Sequence, residues 1–379
     1  MIQRLTAIAA LLCFMLLLGG CPKPAATDAG TGLPAAQTAG AGDVEGQAAE
    51  SQPAGESTDN ALTAAGTTDS GAPKQLVLIY SGNIHGRLLP AGSVAMDNLT
   101  GGLSALTAEV TAVEQEILNY NRMRVANSGG DASTVRVELD SGMIGDNPFM
   151  LLDYGGWYNP DLLEHPEQAA LVLEAFSAMQ YSAVAMRDWQ LLSPDELKLV
   201  GGMQPRPLFL NTPGSQPGDI SELSRVLVRE AQDTDWAVLS LPRLPETERE
   251  LYDRNILALL DDCAAELAIS GAKYSILLAA DQTGTVYKAL QKDKRFTVVI
   301  GAPGTMSPGD GFGELPVDGP LMLPHLTDGG TQLARCHLIW TDESEGPVNF
   351  FFERREVKDN GSPDLPWRRR ISELSEPAQ

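Results

Sequence analysis

The sequence is poor in basic residues. Its 27 lysines and arginines stand against 50 aspartates and glutamates, and the formal net charge is −23. A protein that binds a nucleic acid needs clustered cations to displace the counterions of the phosphate backbone. The charge balance therefore argues against a nucleic-acid partner.

The sequence also lacks any visible internal repeat.

Cysteine is also scarce, with four in 379 residues. Cys13 and Cys21 fall in the amino-terminal targeting region, so Cys263 and Cys336 are the pair that remains. Cys263 lies in a helical pattern and Cys336 in a strand pattern. A disulfide and two separate buried thiols are both open alternatives, because an oxidising compartment permits the first and cysteine packs well as a small apolar residue.

A hydrophobic run of membrane-spanning length is missing from the amino terminus. Residues 7–18 are apolar and follow Arg4, a pattern typical of a signal peptide and too short for a span of about 20 residues. The next residues, Leu18-Gly19-Gly20-Cys21, resemble the lipobox of bacterial lipoproteins. The resemblance implies that residues 1–20 are a signal peptide, that Cys21 carries a lipid and that a membrane is the partner. Enteric lipoproteins that stay in the inner membrane have an aspartate after the lipidated cysteine, and this chain has Pro22 there. The resemblance therefore favours an extracytoplasmic location in the bacterial cell envelope, on the outer membrane.

Residues 21–73 lack any apolar periodicity. They consist mostly of Ala, Gly, Thr, Ser, Gln and Pro, with seven acids and one lysine after Cys21. Such a composition cannot offset the entropy lost on ordering, so we expect a disordered linker behind the lipidated Cys21. A flexible chain of this length has a mean span of about 40 Å. That is enough to lift a folded domain off a membrane.

Folded structure is predicted for residues 74–357, followed by a carboxyl-terminal tail, 358–379. Alternation of period 2 or continuous apolar runs predict strands, and apolar spacings of three and four predict helices. Strands alternate with helices until a β-rich end, which predicts an α/β sandwich. The predicted strands are 76–80, 134–139, 182–186, 207–211, 236–240, 274–279, 296–301, 321–323, 333–341 and 348–353. The predicted helices are 103–120, 167–179, 220–231, 246–269 and 282–291.

The first predicted strand leads straight into a polar loop. Leu76–Tyr80 is apolar enough to be buried on both faces, and Ser81, Gly82, Asn83 and His85 follow at its carboxyl end, where open α/β sheets place their sites. Asn83-Ile84-His85-Gly86 resembles the Asp-x-His-Gly motif of calcineurin-like metallophosphatases, in the branch with the amino-terminal domain of bacterial 5′-nucleotidases. The Gly101-Gly102-Leu103 helix start and the segment 329–338 resemble further family motifs. The resemblance implies a metallophosphatase-like two-sheet sandwich flanked by helices.

The resemblance also implies where metal ligands should stand, and most of them are replaced. Asn83 takes the place of an aspartate ligand, while His85 is kept. Asp140-Ser141-Gly142 resembles the second motif, Asp-Ala-Gly-Asp, and puts Met143 at the bridging aspartate. A thioether cannot bridge two hard cations. Asp146 is the candidate replacement, although we favour a turn at 145–148.

The three later motifs have lost their histidines. The third, Gly-Asn-His-Glu, corresponds to residues 187–190, where Asp188 remains a candidate ligand and Trp189 replaces the histidine that acts on the leaving group. The fourth has alanine at 279–280 in place of its histidine. The fifth, Gly-Gly-His-x-His, reads Gly301-Ala302-Pro303-Gly304-Thr305. The metal candidates are therefore His85, Asp188, Asn83 and Asp146, with His85 and Asp188 the residual catalytic candidates.

Three hypotheses follow for the function. The first is a lipid-anchored pseudoenzyme that binds or scaffolds an envelope protein or small ligand, with no cofactor. The second is a divergent hydrolase, a phosphoesterase or nucleotidase, that holds a divalent metal on His85, Asp188, Asp146 and either Asn83 or Asp281. The third is a ligand-binding lipoprotein that uses aromatic contacts, namely Trp157, Tyr158 and Trp189. We expect Trp157 to pack under a loop, His165 to lie in a loop, His325 to lie at the surface and His337 to lie in a sheet.

Overall fold

The computed structural model describes the greater part of the predicted domain. The described residues lie within one compact unit, 59–379. They are residues 74–85, 87–88, 100–127, 129–134, 137–138, 143–144, 147–157, 166–185, 202, 207–208, 225–231, 233–241, 249–279, 282–327, 329–340, 344, 346–359, 367 and 369–371. The predicted signal peptide, the lipid site Cys21 and the linker lie outside these residues.

The described elements are strands and helices in alternation. The strands are β1 Lys74–Ser81, β2 Val137–Glu138, β3 Met143–Ile144, β4 Asn147–Asp153, β5 Ala183–Ala185, β6 Pro207–Leu208, β7 Leu227–Glu230, β8 Asp235–Ser240, β9 Tyr274–Leu278, β10 Val298–Ala302, β11 Gly311–Glu314, β12 Leu321–Pro324, β13 Gln332–Trp340 and β14 Asn349–Glu356. The helices are α1 Leu103–Asn127, α2 Pro166–Ala178, α3 Arg249–Ser270 and α4 Gly284–Leu290.

Two sheets face each other. The first has the strand order β11-β14-β13-β1-β4-β3-β2, with β5 and β6 continuing from β4. In its centre β1 is antiparallel to β13 and parallel to β4. The second sheet has the order β12-β10-β9-β8-β7, and only its edge strand β7 is antiparallel. The predicted α/β two-sheet sandwich flanked by helices is thus confirmed.

The alternation of side chains along β1 sets the layers. Leu76, Leu78 and Tyr80 point into the core between the two sheets. Val77 and Ile79 point to the other face, where they join the apolar stripe of α1. All five are fully buried, as the continuous apolar run predicts. A third cluster packs α3 and α4 on the outer face of the second sheet.

Ion pairs tie α1 to the first sheet. Arg335 on β13 lies 2.8 Å from Glu353 on β14, and Arg355 lies 2.5 Å from Glu116 on α1. Arg335 is buried, and this burial lowers its pKa below the ordinary range against the pull of Glu353. A charge buried in this way needs its partners, so the pairs fix how the helix sits on the strands.

Two elements differ from the sequence prediction. A helix was predicted over residues 220–231, which is wrong for the described residues 225–231. There Leu227–Glu230 form β7, which pairs with β8 through a turn closed by hydrogen bonds between Ala231 and Thr234. The side chains of β7 alternate between half-buried and exposed, as in an edge strand. Pairing with β8 therefore determines its conformation, although the local spacing of apolar residues favoured a helix. The prediction of strand from residue 134 is also wrong, since Ala132–Thr134 form a 3₁₀ turn and β2 is only two residues long. The strands β3, β4 and β11 were not predicted at all.

No helix among the described residues is long and apolar enough to cross a membrane.

Candidate functional site

The loop after β1 adopts an unusual backbone. Asn83 and His85 both have positive φ angles, 56° and 53°. Residues with a Cβ rarely adopt this region, and such strain persists only where surrounding contacts impose it. The Asn83 N–H donates to the carbonyl of Gly155 at 2.9 Å, and the His85 N–H donates to that of Gly156 at 2.7 Å. The conformation is therefore fixed by the neighbouring loop after β4.

Gly82 allows these two loops to approach closely. A Cβ at this position would overlap the ring of Tyr154, which is fully buried against the loop. On the other side the Gly329 N–H donates to the carbonyl of Asn83 at 2.6 Å. Three loops, one from each of β1, β4 and the approach to β13, are thus joined by backbone hydrogen bonds at the carboxyl edge of the first sheet.

A buried hydrogen-bond chain lies below the loops. The Ser81 hydroxyl donates to the carboxylate of Asp153 at 2.7 Å and lies 2.7 Å from the Tyr181 hydroxyl. Since the single Ser81 proton goes to Asp153, Tyr181 donates to Ser81. Asp153 also accepts the N–H of Gly155 at 2.8 Å. Burial and the charge of Asp153 raise the pKa of Tyr181 well above its ordinary value, so the phenol stays protonated.

Asn83 is paired with a histidine from the second sheet. Its amide nitrogen lies 2.6 Å from Nε2 of His325 and also donates to the carbonyl of Leu326 at 3.4 Å. An amide nitrogen carries no lone pair for hydrogen bonding, so Nε2 of His325 is the acceptor. The prediction that His325 lies at the surface is wrong, because it is half-buried with its ring 5.6 Å from that of Tyr154.

The strand order shows which segment lies beside the loop of Asn83. β4 is the parallel neighbour of β1, and its carboxyl end carries Asp153-Tyr154-Gly155-Gly156. Met143, which the resemblance put at the bridging aspartate, opens the short strand β3, which pairs antiparallel with β2 and β4 and, among the described strands, does not pair with β1. Residues 153–156 read Asp-Tyr-Gly-Gly, so the loop beside that of Asn83 carries one carboxylate, Asp153, and two glycines.

The positions that the resemblance assigned to the fourth and fifth motifs lie at the ends of β9 and β10. Ala279 is buried after β9, and Pro303 and Thr305 follow β10. The Tyr287 hydroxyl from α4 lies 2.6 Å from the carbonyls of both Ala279 and Gly301. The single Tyr287 hydroxyl proton is thus shared between carbonyls at the two strand ends, and the described residues there, Ala279, Pro303 and Thr305, offer no imidazole.

Several predicted site residues lie outside the described part of the chain. They are Asp146, Asp188, Trp189, Tyr158, His165 and Asp281. His85 is described and exposed. Within the described residues, no group of three or more His, Cys, Asp or Glu side chains could hold a metal ion.

Other predictions on single residues can be compared directly. Trp157 is buried in the core with its ring 6.0 Å from that of Phe176, which confirms that it packs under the loop. His337 lies in β13 as predicted. Cys263 and Cys336 are free, buried thiols, and burial raises the pKa of Cys263 to about 12. A disulfide between them is excluded.

Comparison with known proteins identifies the fold. No family model matches the sequence, and no curated protein matches it either. Among solved structures, the 5′-nucleotidase precursor of Thermus thermophilus is similar with a TM-score of 0.55 and 13% identity, over 79% of this chain and 58% of that one. The calcineurin-like phosphoesterase YfkN of Bacillus subtilis has a TM-score of 0.51 and 11% identity, over 80% and 98%. The sulfate thiohydrolase SoxB of T. thermophilus has a TM-score of 0.50 and 15% identity, over 79% and 59%.

These likenesses concern the fold alone. The chain has the calcineurin-like metallophosphatase fold, with 5′-nucleotidases among its structural neighbours. It spans less than three fifths of the length of the T. thermophilus 5′-nucleotidase precursor.

Proposed function

We propose that this chain is a lipid-anchored protein of the cell envelope, with a 5′-nucleotidase-like metallophosphatase fold that no longer supports dinuclear phosphatase chemistry and that serves binding or scaffolding. The observation that carries the proposal is the pair of Asn83 and His325. At the position of an aspartate ligand, this chain has an amide whose nitrogen lies 2.6 Å from an imidazole nitrogen. The side chain contributes to joining the two sheets.

The described donors do not fit a dinuclear metal centre. Such a centre needs two cations about 4 Å apart, a bridging carboxylate and several further oxygen or nitrogen ligands. We place the second motif at residues 153–156, after the strand parallel to β1, which puts Gly156 at the bridging position, and the resemblance puts Pro303 and Thr305 in place of two histidines. Asp153 is buried, but its carboxylate already accepts hydrogen bonds from Ser81 and Gly155. The described residues therefore support no catalytic step through a metal pair.

The loops retain features that suit binding. Three hydrogen bonds between the loops hold their backbone. These bonds also keep Asn83 and His85 at positive φ. His85 and Arg87 are exposed on this rigid base. A preorganised surface with exposed cationic and hydrogen-bonding groups binds with little loss of conformational entropy.

Phosphoesterase activity tests this proposal. The full chain, purified in detergent, is assayed with nucleoside monophosphates and a phosphodiester in the presence of added Mn²⁺ or Zn²⁺. We expect no turnover above that of two variants, Asp188→Ala and His85→Asn. Asparagine is chosen at residue 85 because it tolerates positive φ. Turnover that disappears in both variants would refute the loss of chemistry.

That refuting outcome would support the second candidate, a divergent metal-dependent phosphoesterase with a remodelled site. The observation that favours this candidate is the presence of two histidines, His85 and His325, in loops at the same edge of the sandwich. It predicts that a divalent metal restores activity after chelation. Retention of activity in both variants would indicate a contaminating enzyme.

The lipid anchor is tested on Cys21. We expect the mature protein to begin at this residue, to carry the mass of a diacylglyceryl group and to fractionate with the outer membrane. Cys21→Ala should remain unprocessed and unlipidated. A mature wild-type protein that lacks the added mass would contradict the anchor.

A further inference from the structure

The last described residues of the chain contact α2. Trp367 and residues 369–371 are helical, and we call them the strap. Trp367 is half-buried and packs against the core cluster that α1 and α2 form with the first sheet. Ile371 is 1% exposed. Two apolar side chains therefore anchor the strap to the domain.

An ion pair joins the strap to α2. The Arg370 guanidinium donates to the carboxylate of Glu174, and its Cζ lies 5.4 Å from the centroid of the Trp367 ring. The hydrogen bond from Arg370 lowers the pKa of Glu174 below its ordinary value. The two charged side chains are 46% and 51% exposed, so solvent screens the pair and it contributes little to stability. The hold of the strap thus depends mainly on Trp367 and Ile371.

The helix that the strap contacts carries a ring that touches the candidate site from two sides. The ring of Phe176 on α2 meets that of Tyr181 edge-on, with centroids 4.8 Å apart, and that of Trp157 edge-on at 6.0 Å. Trp157 follows the two glycines whose carbonyls accept the N–H groups of the loop after β1. The Tyr181 hydroxyl ends the buried hydrogen-bond chain to Asp153. The position of α2 therefore bears on both loops.

The connection from α2 to Tyr181 is short and fixed. Only Met179 and Gln180 separate the end of α2 from Tyr181. Gln180 has a φ angle of 54°, so the chain turns sharply out of the helix. Beyond Tyr181, the Ser182 N–H donates to the carbonyl of Leu151 on β4 at 2.7 Å. Because this connection has no slack, a shift of α2 displaces Tyr181.

We propose that the strap holds α2 against the first sheet and thereby keeps the loops around Asn83 joined, and that release of the strap loosens these loops. The contacts run from Trp367 and Ile371 to the core of α2, and from Phe176 to both loops. A segment with few anchors opens at a lower free energy than the rest of a domain. The strap is thus a switch for the loop surface. This inference rests on the proposed function only in giving that surface a binding role.

Hydrogen–deuterium exchange of the full chain in detergent, without ligand or metal, tests the coupling. Ile371→Asp puts a charge at the buried anchor and should release the strap. The matched control is Ile269→Asp, the same change at a side chain that is 80% exposed near the end of α3. A second test variant ends at residue 366 and lacks the strap. Peptides of residues 81–85, 153–157 and 171–181 report on the loops and α2, and peptides of α3 and β10 report on the second sheet.

We expect exchange at least about tenfold faster in the loops and α2 of both test variants, as when one buried isoleucine no longer stabilises the closed state. The α3 and β10 peptides, and the whole Ile269→Asp control, should exchange as in wild type. Wild-type exchange in the loops of either test variant would overturn the coupling. Faster exchange everywhere, the second sheet included, would show global destabilisation and also overturn it. Neither outcome bears on the metal content of the protein, which tests the proposed function separately.

Discussion

The hydroxyl of Ser81 donates a 2.7 Å hydrogen bond to the buried carboxylate of Asp153, and this bond joins the carboxyl ends of two parallel strands. Both residues are fully buried. The bond holds the two loops in register, with the Asn83 N–H on the carbonyl of Gly155. This buried hydrogen bond makes the loop geometry rigid, because breaking it would leave a buried donor without an acceptor and would lower the free energy of unfolding.

Replacement of Asp153 should therefore destabilise the domain. Asp153→Ala leaves the Ser81 hydroxyl and the Gly155 N–H without their acceptor and should lower the free energy of unfolding by roughly 3 kcal/mol. Chemical denaturation measures the loss. Asp318→Ala removes an exposed carboxylate paired with Lys294 and should leave the unfolding midpoint unchanged. Equal midpoints for both variants would contradict the role given to Asp153.

Gly82 should tolerate no side chain. Gly82→Ala places a methyl group into the ring of Tyr154, and because both loops are held by hydrogen bonds, it should lower stability by about 1–3 kcal/mol. Gly284→Ala is the control, since its Cβ meets nothing within 4 Å at the start of α4. Thermal unfolding should give a clear drop for the first variant and no drop for the second. A wild-type melting temperature for Gly82→Ala would show that the loops are looser than described.

His337 should make stability fall in acid. Burial, helped by Arg335, lowers the pKa of His337 from 6.5 to about 3. Below pH 6.5 the unfolded chain takes up a proton that the folded chain refuses until about pH 3. The free energy of unfolding should thus fall by up to about 1.4 kcal/mol per pH unit between these values. His337→Asn should lack this slope, and an unchanged slope in the variant would rule the residue out.

Glu114 on α1 should act in the opposite direction. Burial raises its pKa from 4.5 to about 7. The folded chain keeps a proton that the unfolded chain releases above pH 4.5, so stability should fall as pH rises from 4.5 to 7, by at most about 1.4 kcal/mol per unit. Glu114→Gln should remove the decline. Because the His337 and Glu114 slopes oppose each other between pH 4.5 and 6.5, each is measured as the difference between wild type and its variant.

The sequence predicts the parts of the fold that local periodicity determines. Leu76–Tyr80 is a continuous apolar run, and β1 forms there with both faces buried. The residues at spacings of three and four from Leu103 to Ile117 are the buried face of α1. In both cases a single element packs against a large core, so the spacing of its apolar residues is enough to predict which side chains are buried.

Pairing between distant segments is what the sequence does not predict. Leu227–Glu230 become a strand because β8 offers an edge, and no local pattern encodes that partner. β4 begins with Asn147-Pro148, which favour a turn, although the apolar run of Phe149–Leu152 was a usable signal. Asn83 and His325 are 242 residues apart, so their contact follows only from the packing of the two sheets.

The metal content of the protein tests the central claim most directly. The full chain is purified without chelators, equilibrated with Mn²⁺, Fe²⁺ and Zn²⁺, passed through a desalting column and analysed by mass spectrometry for metal per chain. The loss of a dinuclear centre predicts far less than one equivalent, equal in wild type and in the His85→Asn variant. Two equivalents in wild type that fall in the variant would contradict the account and support the second candidate, a metal-dependent phosphoesterase.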